Sequence, residues 1–230
     1  MIVSIHQPNY LPWLGYFYKI ANSDVFVIQD NLLYIKKSFI NRNTIKTPHG
    51  AQWLTLNVLS KGRSGQLINE VEIDNSIQWG KIHLKTMEAN YGKASYFQEY
   101  RDQFESIYQE KWESLADLNE TLVKLVCEML CIKNVKFVRT SELGVDGKST
   151  NLLINICKAV GADTYLSGIG GKKYMDEELF EKEGIKLKYS EFQHPVYNQL
   201  FGDFVPNLSV IDFIFNEGGS NFSNFKDNKE

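Results

Sequence analysis

The stretch MIVSIHQPNYLPW, residues 1–13, together with the residues that follow it as far as Gln29, decides the fold. Met1 to Ile5 is a short apolar run that predicts a buried strand, and Pro8 and Pro12 keep the next residues out of a helix. Residues 13–21 place apolar side chains on one helical face, and Asp24 to Gln29 predicts a second buried strand. Strand, loop, helix and strand in this order form a βαβ unit, whose right-handed crossover makes the two strands parallel.

The last third of the chain repeats this alternation. Glycine follows each of its two predicted helices, which suits the left-handed conformation that ends helices. The predicted elements are a strand at Val135–Arg139, a helix at Asn151–Val160, a strand at Thr164–Ser167, a helix at Met175–Glu183 and a strand at Ile185–Tyr189. The pattern therefore predicts an α/β fold with a mostly parallel, twisted sheet flanked by helices, similar to nucleotide-binding folds.

The middle of the chain is less regular. Residues 53–59 and 71–73 are strand-like, and helices are predicted at 77–90 and 115–130. The second helix repeats leucine, valine and methionine at helical spacing, and Ser114 with Asp117 resembles a capping box, so we interpret it as a packing helix.

Length and composition favour one domain. With 230 residues, 43% of them hydrophobic, the chain can bury one well-formed core, which we place at residues 1–217. Residues 218–230, rich in Gly, Ser, Asn and charge, predict a flexible tail.

A net charge of -3 argues against nucleic acid as a partner. Without a long apolar run or a signal peptide, we expect a cytoplasmic protein that does not insert into a membrane.

The three cysteines lie in apolar helical patterns. Cys127, Cys131 and Cys157 are therefore expected to be buried as small hydrophobic residues. Cys127 and Cys131 are four apart on a helix, but no neighbouring histidine or carboxylate pair completes a ligand set, so no metal site is predicted.

The first candidate site is the loop after strand one, which concentrates an imidazole, amides, phenols and an indole. Ligands of parallel sheets sit at the carboxyl ends of the strands, and Asp30 follows strand two at the same edge. The candidate residues of this loop are His6, Gln7, Asn9, Tyr10 and Trp13. The alternative is that these side chains fill the corner between strand and helix.

The second candidate is the segment from Lys36 to Asn43. The guanidinium of Arg42 offers a planar pair of donors that matches phosphate or carboxylate, and Asn41 and Asn43 add amide donors. The lysines of this segment fit a solvated basic turn better than a site.

The third candidate is the glycine-rich turn after the strand at 164–167. Backbone N–H groups in such a turn bind anions, so Ser167 and Gly168 are candidate phosphate contacts, with Tyr174 nearby. The alternative is that the glycines only make a tight turn. His194 and Tyr197 belong to another polar cluster that can reach the same cleft, and Asp212 is either a buried carboxylate or one on a helix surface.

Several of these segments occur together in a known family. They are the motif HQPNYLPWLGYF at residues 6–17, Asp30, the triplet NRN at 41–43, Trp53-Leu54, the segment YLSG at 165–168, Tyr174, His194-Pro195, Tyr197, Gln199, Leu208-Ser209 and Asp212. With them the chain resembles the WbqC-like protein family along nearly its whole length. The resemblance implies an association with surface polysaccharide and modified-sugar biosynthesis.

The first βαβ unit also looks like that of nucleotidylyltransferase-type folds such as pantothenate synthetase. Those enzymes hold ATP with a His-x-x-His motif in this loop and helix. Residues 10–17 of this chain contain no histidine, which puts ATP chemistry in doubt.

We therefore hypothesise an enzyme that transfers or ligates an acyl or aminoacyl group onto the amine of a nucleotide-linked amino sugar. His6 would act as general base, because its ordinary pKa suits proton transfer near neutral pH, and Asp30 would orient either the histidine or the amine. The remaining candidate residues would bind the substrate. Whether ATP or a thioester activates the acyl group stays open, and an oligomer is possible. The rival hypothesis is a non-catalytic accessory protein that binds sugar nucleotides or glycans.

Overall fold

The computed structural model, which describes residues 1–225, contains one five-stranded sheet and one separate hairpin. All neighbours in the five-stranded sheet are parallel, and their order is β5-β2-β1-β6-β7. The strands are β1 Ile2–His6, β2 Val25–Ile28, β3 Arg42–Thr47, β4 Gly50–Thr55, β5 Lys136–Arg139, β6 Thr164–Ser167 and β7 Lys186–Tyr189. Strands β3 and β4 form the antiparallel hairpin. The predicted α/β fold with a parallel sheet is confirmed.

Seven α-helices surround these strands among the described residues. They are α1 Leu14–Ala21, α2 Trp79–Tyr91, α3 Phe97–Gln109, α4 Leu115–Met129, α5 Ser149–Val160, α6 Glu177–Lys182 and α7 Val210–Glu217. The Ser114 hydroxyl caps α4 by accepting from the Asp117 amide, as predicted, and Gly161 ends α5 in the left-handed conformation. None of the helices between residues 1 and 225 has the length and apolar character needed to cross a membrane.

The two faces of the sheet pack against different helices, because successive side chains of a strand point to opposite faces. Val3 and Ile5 of β1 pack into the cluster that contains Ile154 of α5 and Phe180 of α6. On the other face, Phe26 of β2 joins the larger cluster that includes α1 to α4 and α7. The sheet is therefore covered on both sides, as parallel sheets require.

The order in which the chain adds strands to the sheet reverses between β1 and β6. The chain leaves β1 through α1 toward β2, whereas it leaves β6 through α6 toward β7. Because α1 and α6 lie on opposite faces, a crevice opens between the carboxyl ends of β1 and β6. Open α/β sheets bind their ligands at such switch points.

The middle of the chain differs most from expectation. Residues 71–73 make only isolated bridges, and the strand predicted at 53–59 is β4, which begins earlier and ends at Thr55. Strand β3 was not predicted, because its sequence RNTIKT has one large apolar residue. Helix α3 was also missed, although Phe97, Tyr100, Phe104 and Tyr108 form a buried stripe at helical spacing.

The described part of the C-terminal segment is packed, in contrast to the predicted flexible tail. Residues 219–225 form a 3-10 helix, the side chain of Phe222 is fully buried, and the Gly219 amide donates to the Tyr100 hydroxyl at 3.0 Å. Residues 226–230 of the predicted tail lie outside the described part.

Among the cysteines, Cys127 and Cys157 are buried as predicted, whereas Cys131 is exposed because it lies just past the end of α4.

A buried carboxylate fixes the segment that leads from β7 to α7. Asp212 is fully buried and accepts hydrogen bonds from Tyr91 (3.0 Å), Tyr197 (2.8 Å) and Gln199 (2.7 Å). Burial raises its pKa, while these hydrogen bonds and the nearby Lys46 oppose the shift. Lys46 is also buried and donates to Gln199 at 3.0 Å. This network ties residues 197–199 to the core, so Tyr197 serves as an anchor of the segment here.

We predict that Asp212→Asn destabilises the protein by about 2–4 kcal/mol, because an amide leaves one hydroxyl without an acceptor and the buried Lys46 without a counter-charge. Urea unfolding followed by circular dichroism measures the loss. Glu217→Gln, which removes a charge from the partly exposed end of the same helix, is the control and should cost less than about 1 kcal/mol. Equal effects of the two changes would contradict the assigned role of Asp212.

Candidate functional site

A cavity of about 270 Å³ opens at the switch point between β1 and β6. Its walls come from the end of β1, the start of α1, the glycine-rich turn after β6 and the segment after β7. The sequence-predicted residues that line it are His6, Trp13, Ser167, Gly168 and Tyr174. These side chains, which are far apart in sequence, therefore meet in one place.

A second cavity, of about 530 Å³, adjoins the first. The two share Ile5, His6, Tyr165 and Tyr174 in their walls, so His6 contacts both. The second cavity adds Gln7 and Gln29 from the strand ends and Leu32, Leu152 and Leu153 as apolar surface. The site thus has a polar, glycine-lined chamber and a more apolar chamber.

His6 is held as a neutral imidazole. Its Nδ1 lies 3.1 Å from the carbonyl oxygen of Gln7, which only accepts hydrogen bonds, so the proton is on Nδ1 and the lone pair is on Nε2. Burial and the positive charge of Lys19 lower the pKa of His6 to about 3. The ring also contacts Tyr16 edge-on, with centroids 4.7 Å apart. Nε2 is therefore available as a hydrogen-bond acceptor throughout the neutral pH range.

Lys19 is a functional candidate that the sequence analysis missed. Its side chain lines the first cavity, is 6% exposed and donates to the Ile5 carbonyl at 3.2 Å. Within residues 1–225 no carboxylate lies within 4 Å of its ammonium group. Burial lowers the pKa of Lys19 to about 8. The sequence gives little signal for it, because a lysine in the last turn of a short helix is typical of a solvated helix surface.

Trp13 forms an aromatic wall of the first cavity. The indole lies over Gly15, where a Cβ would come within 2.3 Å of the ring, so this wall requires glycine at position 15. Phe192 contacts the indole edge-on at 5.5 Å, and His194 lies nearly parallel to it at 6.4 Å. His194 thus supports Trp13, and partial burial lowers the pKa of its imidazole.

The turn after β6 supplies a wall in which three glycines lie among the side chains of Ser167, Ile169 and Tyr174. A Cβ at Gly171 would lie 2.4 Å from the Ser167 hydroxyl, so glycine is required there for close packing, whereas a Cβ at Gly170 would meet nothing within 4 Å. The Ser167 hydroxyl donates to the Gly168 carbonyl at 3.0 Å. Tyr174, at the end of the turn, is 73% exposed. The open wall leaves room for a ligand group beside Lys19.

The loop between β1 and α1 is held by side chains from distant elements. Asn119 of α4 donates to the carbonyls of Pro8 and Ile40, both at 2.8 Å. Asn43 donates to the Leu11 carbonyl at 2.7 Å, which the Ser209 hydroxyl also contacts at 2.8 Å. Asn43 is therefore engaged with the backbone of the loop.

Asn41 and Arg42 also lie away from the cavity. Asn41 is buried and donates to the Leu56 carbonyl at 2.9 Å. The guanidinium of Arg42 stacks on the half-exposed ring of Trp53, 3.9 Å from its centroid. Neither lines either of the two cavities at the switch point. Arg42 therefore lies on the surface of the β3–β4 hairpin, and Asn41 is buried at its base.

Asp30 and Asn9 are buried next to the sheet edge. The carboxylate of Asp30 is fully buried and accepts from the amide of Ser141 (3.0 Å) and from its hydroxyl (2.6 Å). The described residues show no hydrogen bond between Asp30 and His6. Asn9 is 8% exposed and lines neither cavity. Asp30 therefore joins the end of β2 to the residues after β5.

Tyr10 belongs to a buried chain of polar side chains. Its hydroxyl lies 2.6 Å from the Tyr108 hydroxyl and 2.7 Å from Nδ1 of His83, and Nε2 of His83 lies 3.1 Å from the Thr55 carbonyl. Because Nε2 must donate to that carbonyl, Nδ1 accepts from Tyr10. Burial lowers the pKa of His83 to about 4. Tyr10 is fully buried and has no surface in the cavity.

A larger cleft, of about 630 Å³, lies between α2 and α3, and no residue at the end of a strand of the parallel sheet lines it. Its lining is rich in lysine and glutamate. Arg101 in this cleft already pairs with Glu105 at 2.7 Å and with Asp102 at 3.0 Å. Because these carboxylates already neutralise the charge of Arg101, it attracts an anionic ligand less than the buried ammonium of Lys19 does.

We predict that Asn119→Leu destabilises the protein by about 2–4 kcal/mol, because it leaves two buried carbonyls without donors. Chemical unfolding measures the change. Asn155→Leu is the control, since Asn155 is exposed and donates to a surface carbonyl, and it should cost less than about 1 kcal/mol. Wild-type stability of Asn119→Leu would show that the loop does not need these hydrogen bonds.

The buried histidine His83 predicts a loss of stability in acid. The unfolded chain binds a proton near pH 6.5 and the folded chain only near pH 4, so the free energy of unfolding falls as the pH drops through this range. Between about pH 7 and pH 5 the expected loss from His83 is about 2 kcal/mol. In His83→Gln, urea unfolding should show a pH dependence weaker by this amount. An unchanged pH dependence in His83→Gln would contradict this assignment.

Comparisons with known proteins agree with the sequence motifs. The model of the WbqC-like protein family matches residues 7–223. The chain is 37% identical to the uncharacterized protein Rv1507c of Mycobacterium tuberculosis over 218 residues, which cover 94% of each chain. No solved structure is significantly similar to it. A family match of this extent includes both the loop after β1 and the glycine-rich turn, and the chain therefore belongs to the WbqC-like protein family.

Proposed function

We propose that the protein is an enzyme of surface-polysaccharide or modified-sugar biosynthesis that forms an amide on a nucleotide-linked amino sugar. It would transfer or ligate an acyl or aminoacyl group onto the sugar amine. The observation that carries this proposal is the meeting of a neutral imidazole, an aromatic wall and a glycine-lined wall at the switch point of the sheet. This is where α/β folds bind nucleotides.

The chemistry assigned to His6 is proton transfer. The sugar amine attacks the carbonyl carbon of the acyl donor, the new C–N bond forms, and the bond from that carbon to the leaving group breaks. The amine must lose one proton in this process, and Nε2 of His6 carries the free lone pair that can accept it. The proton then passes to the leaving group, so the imidazole returns to its neutral form.

The two chambers suit two reactants. The chamber beside Trp13 and Gly168 offers polar groups and a ring on which a sugar or base can stack. The second chamber, with Leu152, Leu153 and the Gln7 amide, offers an apolar surface of the kind that an acyl group needs. His6 lies in the walls of both, where the amine and the acyl carbon would meet.

One observation favours the rival function, a binding protein without catalysis. With a pKa of about 3, His6 is a weak base in the ligand-free protein, so the proton transfer has little driving force before a ligand changes its surroundings. The two functions differ in whether a bound nucleotide sugar is consumed.

We predict that wild-type protein adds an acyl group to a nucleotide-linked amino sugar and that His6→Ala lowers the turnover by roughly 100-fold or more. The assay incubates a panel of such sugars with acyl thioesters, or with amino acids and ATP, and detects the mass of the acyl group on the sugar by mass spectrometry. Circular dichroism and thermal unfolding establish that the variant is folded.

His49→Ala is the control, because His49 is exposed on the hairpin turn and lines neither cavity. It should keep wild-type turnover. Full activity in folded His6→Ala would remove His6 from the mechanism. Thermal stabilisation by nucleotide sugars without any product in the whole panel would favour the binding protein.

A further inference from the structure

The buried ammonium of Lys19 lacks a counter-charge among the described residues. Moving a lysine out of water costs several kcal/mol unless a counter-charge or hydrogen bonds replace its hydration. Lys19 is 6% exposed, its ammonium donates to one carbonyl, and among residues 1–225 no acidic side chain lies within ion-pair distance. An ammonium group has three donors, so at least one remains for a ligand in the cavity that Lys19 lines.

The wall opposite Lys19 is shaped for a group of some size. A Cβ at Gly168 would lie 4.0 Å from the Lys19 Cδ, an ordinary van der Waals contact, so this glycine faces the lysine side chain. A Cβ at Gly170 would meet nothing within 4 Å, so open space remains beside this glycine. The cavity of about 270 Å³ can hold a diphosphate.

We propose that Lys19 is the cation that binds the phosphate group of a phosphorylated ligand in the cavity between β1 and β6. Lysine binds phosphate as a point charge, and a phosphate oxygen would supply both the missing counter-charge and an acceptor. This inference rests on the proposed function, and it names the part of the substrate that the first chamber recognises. It assigns the diphosphate of a nucleotide sugar to the chamber formed by α1 and the glycine-rich turn.

Binding at Lys19 also changes His6. The positive charge of Lys19 is the second cause of the low pKa of His6, after burial. A bound dianion cancels that charge and adds a negative one, so the pKa of His6 rises toward its ordinary value. The imidazole would therefore become a better base only when the phosphorylated substrate is in place.

If Lys19 binds the phosphate, the affinity for pyrophosphate should fall as the pH rises, although the ligand itself gains negative charge. Lys19 loses its charge as the pH rises through about 8, whereas pyrophosphate becomes more negative over the same range. The other titratable groups of the cavity wall are His6, which stays neutral, Tyr16 and Tyr165, whose pKa values are raised by burial, and the exposed Tyr174. Lys172 and Lys173 of the turn are exposed. Binding that weakens at high pH would therefore come from a lysine.

The test measures pyrophosphate binding by calorimetry, with acetate as a carboxylate control. Wild type should bind pyrophosphate, and Lys19→Met should weaken binding by about tenfold or more, the effect of one charge-assisted hydrogen bond. Methionine has a similar length without the charge. Lys172→Met removes a lysine that lies over the Tyr189 ring, on the same turn, and should change affinity by less than about threefold.

A second measurement needs no variant. Wild-type affinity for pyrophosphate should fall by roughly fivefold or more between about pH 7 and pH 9.5, as expected for a group of pKa about 8. Affinity that is constant or rises with pH, an equal loss in Lys172→Met, or acetate binding as strong as pyrophosphate would each overturn the proposal. Acyl transfer without pyrophosphate binding would contradict only the role of Lys19. Pyrophosphate binding at Lys19 without acyl transfer would contradict only the proposed function.

Discussion

The loop between β1 and α1 cannot satisfy its own backbone, and the rest of the site depends on how this is resolved. Pro8 and Pro12 prevent regular secondary structure, so the buried carbonyls of this loop need donors from elsewhere. They receive them from three distant parts of the chain, at Asn43, Asn119 and Ser209. The loop therefore takes one conformation only when the hairpin, α4 and the start of α7 are all in place.

This constraint explains why the first cavity has its shape. Once the loop is fixed, Trp13 leads directly into α1, its indole covers Gly15, and Lys19 is carried one turn further into the crevice. The network around Asp212 fixes the opposite side, because it holds the segment that places Phe192 and His194 against the indole. Positioning residues thus surround a small set of groups that can touch a ligand.

Much of the fold could be predicted from the sequence, because most of its parallel strands are short apolar runs and two of its crossover helices, α5 and α6, are followed by glycine. Helix α3 and strand β3 were missed, since an aromatic stripe among charges and a polar strand give weak periodic signals. The candidate site was harder to predict. Asn41 and Asn43 have the donors of ligand-binding residues, but a sequence does not show which buried carbonyls need those donors.

Lys19 illustrates the opposite difficulty. In the sequence it looks like a solvated lysine of an amphipathic helix, whereas both faces of α1 are covered, by the sheet and by the segment after β7. Its burial results from tertiary packing that local patterns do not encode. The roles proposed for His6 and for the other cavity residues remain predictions that depend on this packed environment.

The central claim is that the crevice between β1 and β6 is the working site. A crystal structure with a bound nucleotide-linked amino sugar tests it most directly. We expect the diphosphate to lie against the Lys19 ammonium and the sugar amine to lie within hydrogen-bonding distance of Nε2 of His6. A ligand seated instead in the cleft between α2 and α3, or on the Arg42–Trp53 surface, would contradict it.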